Sequence, residues 1–199
     1  MQAMDLSARV RRIGESATLK VTRRAMQMKA QGIDVVDFGA GEPDFASPAV
    51  AVEAARQALA DGFTKYTQNQ GIPALRQALA KRYAQRYGAP WTADQTLIAV
   101  GGKGALFEVA LALFEEGQEV VLHTPAWVSI PEQIRFAGAT VVEVPTTGAD
   151  GFAVDPDAML AAITARTRAV IVNSPCNPTG GRISPAAMTV IIEGCAAHG

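Results

Sequence analysis

Residues 169–180 read AVIVNSPCNPTG: an apolar run, Ala169 to Val172, then eight residues, Asn173 to Gly180, holding two asparagines, two prolines and a closing glycine. The apolar run predicts a buried strand ending near Asn173. Each proline fixes its own φ and keeps the preceding residue out of the helical region, while asparagine side chains bond nearby backbone, so the segment reads as a rigid loop. Ser184 and Pro185 supply an N-cap and a first helical position just beyond it. A strand that ends this way delivers side-chain amides to the carboxyl end of a sheet, where open α/β sheets bind ligands.

Upstream, helix and strand signals alternate, which predicts βαβ units and a largely parallel sheet. Ser47 as N-cap and Pro48 as first helical position predict a helix to about Asp61 closed by Gly62, and a second helix runs from Ile72 to Tyr87 and stops at Gly88. Thr96 to Val100 is β-rich, and Gly101, Gly102 and Gly104 separate it from an apolar helix, Ala105 to Glu116, that Gly117 closes. A strand Glu119 to His123, a helix Val128 to Ala137, a strand Thr140 to Val144, a helix capped by Asp155 with Pro156 in its first turn, and a strand Arg168 to Asn173 follow. That makes four strands. The helix opened by Ser184 predicts a further strand, because a parallel crossover returns to the sheet, so the sequence, ending at Gly199, is expected to stop inside a domain. The stretch before Phe45 differs: a basic helix around Lys20 to Gln31, a short strand Ile33 to Phe38, then Gly39 to Asp44. The expected division is residues 1–45, an arm with part of a smaller domain, and residues 46–199, the N-terminal portion of a larger one.

Of the 199 residues, 49% are hydrophobic and 19% charged, enough apolar material for a sizeable core. The formal charge of −1, from 18 Lys and Arg against 19 Asp and Glu, offers no field to attract nucleic acid or an anionic membrane. Cys176 and Cys195 are too few for a disulfide framework and lie in no metal-ligand cluster, so a cytoplasmic setting and no metal are expected. The seven Lys and Arg among residues 1–29 are interrupted by Asp5 and Glu15 and read as a solvated arm rather than a transit peptide.

Gly101, Gly102, Lys103 and Gly104 precede a helix, where unpaired N–H groups and the macrodipole favour an anion such as phosphate. The spacing is neither that of a P-loop nor of a dinucleotide fingerprint: no Ser or Thr follows Lys103, and Phe107 stands where the third glycine would be.

Four segments, Gly39 to Phe45, Gly101 to Gly104, Pro125 to Ser129 and Asn173 to Gly180, together resemble the class I/II aminotransferases, in order and at comparable spacing. The resemblance runs over the chain from about Leu6 and is nearest to the aspartate aminotransferase-like subgroup. It implies fold type I of the pyridoxal 5′-phosphate (PLP) enzymes, here an N-terminal portion: an α/β large domain with a mostly parallel sheet flanked by helices, truncated, with an N-terminal arm. By that resemblance Gly102 and Lys103 give backbone N–H groups to the cofactor phosphate in a turn shaped by Gly101, Trp127 stacks on the pyridine ring, and Asn177 bonds its phenolic oxygen. Gly41, with Trp127 and Asn177, meets the substrate, Gly41 through its N–H to the α-carboxylate; Tyr66 reaches the partner's cofactor phosphate in a homodimer. Asn173 is read as a structural asparagine, and His123 and His198 as structural or surface histidines.

The implied reaction moves an amino group between an amino acid and a 2-oxo acid. No catalytic residue is assigned within the chain: the lysine that carries the cofactor, the aspartate at its ring nitrogen and the arginine for the substrate carboxylate follow the Asn-Pro-Thr-Gly segment in the family. The Schiff-base lysine is expected beyond Gly199, and the chain alone is therefore expected to be inactive. A lyase or synthase of the same fold type, or a non-catalytic PLP- or phosphate-binding fragment, would share the segments quoted.

Overall fold

The computed structural model describes residues 5–14, 17–39, 41 and 43–198. Ala40 and Glu42, two members of the 39–45 motif, lie outside the described residues. So does Gly199, the expected limit of the large-domain portion and the residue beyond which the cofactor lysine is expected. The last described element near it is a helix that closes at His198. The chain forms two compact units, divided after residues 15 and 101. The expected division at residue 45 falls within the second of them.

In the first unit, α1 (Ala8–Arg11) precedes α5 (Gly101–Leu113, all but its first residue), β1 (Glu119–Thr124), α6 (Ser129–Ala137), β2 (Thr140–Pro145), α7 (Pro156–Ala161), β3 (Thr167–Ile171) and α8 (Pro185–Ala197). The sheet has the order β2–β1–β3 and both pairings are parallel. β1 lies in the middle, and Val120, Val121 and Leu122 are wholly buried because each has a neighbour strand on both edges and helices over both faces.

Side chains alternate across the pleat, so adjacent residues feed two cores. Val120 and Leu122 pack with Ala110, Phe114, Ile130, Ile134 and Ala139 on the face covered by α5 and α6. Val121 packs with Val144, Val154, Met159 and Ile191 on the face covered by α7 and α8. Each large apolar side chain removed from water contributes about 1.5–3 kcal/mol, so this two-sided burial is what holds the strand ends in place.

The helix boundaries follow the capping chemistry. Asp155 accepts from the Asp157 N–H at 2.9 Å and Ser184 from the Ala187 N–H at 3.1 Å, each satisfying a donor the first turn leaves open. Gly138 closes α6 with φ 107°. At the foot of β1, Glu119 accepts from Thr164 Oγ1 at 2.6 Å and pairs with Arg166; the Thr164 hydroxyl above all, with Arg166, holds its carboxyl below the usual range despite burial.

The second unit holds α2 (Ala17–Ala30), α3 (Ala49–Ala60), α4 (Pro73–Tyr87) and a 3-10 turn, Ala93–Gln95. Gly88 ends α4 in the left-handed region with φ 65°. Pro48 stands at the N-cap of α3 rather than one position inside it, and no side chain caps that helix.

Two expected strands are absent among the described residues. Thr96 to Val100 is not a strand: Ile98 N–H donates to the Gln70 carbonyl at 3.0 Å, and Leu97 and Val100 are exposed. Ile33 to Phe38 is likewise irregular, with Val36 and Phe38 exposed. β-propensity measures the fit to a pleated, half-buried surface, and these residues have no neighbouring strand to supply one. The sheet therefore has three strands among the described residues, not four. β3 also ends at Ile171, two residues early, because its pairing with β1 stops at Leu122 and Ile171.

Candidate cofactor site

The site builds from the carboxyl ends of β1 and β3. After Thr124 the chain turns through Pro125 and Ala126 to Trp127, whose half-buried ring packs against the Leu122 core. After Ile171 it enters the Asn173 to Gly180 loop. Because β1 and β3 are parallel neighbours, both loops leave from the same end of the sheet.

The start of α5 joins them. The helix begins at Gly101 rather than Ala105, so the glycines form its first turn instead of a loop before it. Glycine disfavours helix by about 1 kcal/mol in an interior, but the first turn lacks intrahelical partners for its N–H groups and tolerates it better. Gly101 enters with φ 71°, and a Cβ added at Gly101 or Gly102 would meet nothing within 4 Å. The backbone of that turn is therefore open to an anion, and the macrodipole of a 13-residue helix favours one. Lys103 places its Nζ 5.1 Å from the centroid of the Trp127 ring, and Gln133 Nε2 donates to the Lys103 carbonyl at 2.9 Å. Helix start and Trp127 loop are thus fixed to one another, and Gly102, Lys103 and Trp127 come together.

Asn177 lies in the loop after β3, exposed, with its backbone anchored: its N–H donates to Asn173 Oδ1 at 2.9 Å. The loop closes on itself through Cys176 N–H to the Gly181 carbonyl at 2.8 Å and Gly180 N–H to the Cys176 carbonyl at 2.7 Å. Cys176 is buried, and its Sγ lies 3.3 Å from the Pro125 carbonyl, which ties the Asn177 loop to the Trp127 loop. Gly41 and Tyr66 belong to the second unit; both are exposed, and the Tyr66 side chain is wholly in solvent. Gly101 is that unit's last residue. Among the described residues no group of three His, Cys, Asp or Glu could hold a metal ion, and no helix is long and apolar enough to cross a membrane.

The residues fit a phosphorylated aromatic cofactor. An open helix start with a lysine on its first turn suits a phosphate, the indole face suits an aromatic ring, and a backbone-anchored asparagine suits a ring oxygen.

His123 carries more than the sequence indicates. Only 2% of it is exposed, so it is no surface histidine, and its Nε2 accepts the Asn173 N–H at 3.0 Å. The one signal in the sequence is a polar, titratable residue that follows directly on the apolar run Val120 to Leu122. Burial pushes its pKa below the ordinary value. The unfolded chain takes up a proton below about pH 6.5 more readily than the folded ring does, so stability should fall as pH drops through that value, by at most about 1.4 kcal/mol per unit. Urea unfolding at both pH values checks this, and His123→Gln should flatten the slope; equal slopes in the two proteins would exclude His123 as its source.

A family model described as "Aminotransferase class I and II" matches residues 33–199. The chain is 49% identical over 175 residues to an aspartate/prephenate aminotransferase of Thermus thermophilus, covering 88% of this chain and 46% of that protein. It is 42% identical to an aspartate aminotransferase of Geobacillus stearothermophilus, covering 98% of this chain and 50% of that protein. Among solved structures, aspartate aminotransferase from Thermus thermophilus with maleate superposes with a TM-score of 0.94 at 45% identity, over 98% of this chain and 51% of that one. The chain spans about half the length of the curated relatives it matches.

Proposed function

The chain belongs to the class I and II aminotransferase family, and we propose that the protein it represents moves an amino group between an amino acid and a 2-oxo acid with PLP as cofactor. One observation carries the reading. The open start of α5, Trp127 and the anchored Asn177 loop all lie at the carboxyl end of one parallel sheet, tied through Lys103 to Trp127 and through Cys176 to Pro125. When bound, PLP supplies an electron sink at the substrate α-carbon.

The chain's own residues then have distinct tasks. The N–H groups of Gly102 and Lys103 hold the phosphate in the turn that Gly101 shapes. Trp127 covers one ring face and keeps water from it, and Asn177 donates to the phenolic oxygen. Gly41 presents its N–H to the substrate carboxylate at a place where no Cβ obstructs approach. Tyr66, wholly exposed, serves the phosphate of a second copy in a homodimer. The relatives' names, and a solved relative held with the four-carbon dicarboxylate maleate, support an aspartate-like donor. The proton-shuttling lysine, the aspartate at the ring nitrogen and the carboxylate-binding arginine lie beyond Gly199 in this reading.

Borohydride treatment after PLP addition tests this. The 199-residue chain is expected to retain no stoichiometric cofactor on any of its lysines, whereas the full-length protein retains one per subunit on a lysine outside the chain. A single labelled lysine within residues 1–199, together with transaminase turnover by that chain, would refute the division of labour.

A further inference from the structure

The geometry points to His123 as the residue that positions Asn177, through a two-bond relay across the ends of β1 and β3. The β1–β3 ladder ends at Leu122 and Ile171, so the Asn173 N–H, two residues on, has no strand to bond. The His123 side chain takes its place: Nε2 accepts that N–H at 3.0 Å. Asn173, held through its own backbone, turns Oδ1 to the Asn177 N–H at 2.9 Å.

For packing alone this position would favour valine or leucine, which fill the preceding three positions of β1. A ring nitrogen in a side chain only 2% exposed needs a partner, and the partner it has is the first link to the loop. With Nε2 acting as acceptor, the neutral ring carries its proton on Nδ1. The Cys176–Pro125 contact ties the same loop to the residue that directly follows β1. Two anchors from one strand end therefore fix the Asn177 backbone before any ligand arrives, which is how a donor is held in a productive place without reorganisation. His123 is a positioning residue in this relay, since it acts only through Asn173.

This rests on the proposed contact between Asn177 and the cofactor, and the experiment separates the two. In the full-length, PLP-loaded protein, His123→Leu removes the acceptor at similar volume, and His123→Gln keeps one. The readouts are the pH midpoint of the cofactor absorption band and the apparent PLP affinity. A net hydrogen bond corresponds to about a two- to twelvefold change in affinity. H123L is expected to weaken PLP by that factor and to move the midpoint in the same direction as Asn177→Ala, with H123Q recovering most of both. A midpoint that N177A moves and H123L leaves in place overturns the relay while sparing the cofactor contact. A midpoint that N177A leaves in place overturns both. Should H123L not fold, Asn173→Ala, at a partly exposed position, removes the second link and Asn173→Asp retains an acceptor; an N173A protein with the wild-type midpoint overturns the relay.

Discussion

Leu122→Ala is expected to lower the free energy of unfolding by about 2–5 kcal/mol, the range for large-to-small substitutions at fully buried sites. The upper half of that range applies here. Leu122 has no exposed surface, sits on the central strand, and packs against the core that includes Ile130, Ile134 and Phe114. A cavity there cannot close by moving the strand, because both edges of β1 are bonded in register to β2 and β3. Leu111→Ala, on the half-exposed side of α5, is the matched control and should cost well under half as much. Urea unfolding of the two variants at neutral pH decides it, and a Leu122 loss below about 1 kcal/mol would mean a core looser than this packing implies. The consequence reaches the site, since Thr124 to Trp127 hang from the same strand.

The second large effect is at Gly71, in the second unit. Its φ is 98°, and an added Cβ would lie 2.4 Å from Cγ1 and 2.7 Å from Cβ of Ile98. Gly71→Ala thus combines a backbone conformation that costs an L-residue about 1–2 kcal/mol with an overlap costing about 1–3 kcal/mol. The overlap involves a Cβ, which cannot swing aside as a side-chain tip can. Nor can Ile98 withdraw freely, because its N–H is bonded to the Gln70 carbonyl. A total of about 2–5 kcal/mol is expected. Pairing Gly71→Ala with Ile98→Gly, which removes both overlapping atoms, should restore part of the loss measured against Ile98→Gly alone; identical losses from Gly71→Ala in the two backgrounds would assign the whole effect to φ.

The parts of the fold legible in the sequence are those decided by local chemistry. Asp155, Ser184 and Gly88 mark helix ends because capping groups act within a few residues of themselves. The strands at Glu119, Thr140 and Thr167 are visible as short apolar, β-rich runs. Thr96 to Val100 has the same local character and fails as a strand, since pairing depends on a neighbour that composition does not name. In the candidate site the residue types can be read, but the bonds that join them cannot. His123 and Asn173 are fifty positions apart, and Cys176 and Pro125 fifty-one. Nothing in either pair announces its partner until the strands are laid side by side.

The strand order also bears on assembly in time. Val120 meets Val141, 21 positions on, and Ala169, 49 positions on. Loop-closure entropy therefore favours the first pairing by about 0.7 kcal/mol, and it encloses only α6. The nascent β1–α6–β2 unit brings the Trp127 loop into being early, with His123 already at its rim. β3 docks against a prepared edge, and the Asn177 loop, proposed above to face the cofactor, is the last of the site's walls to be hung.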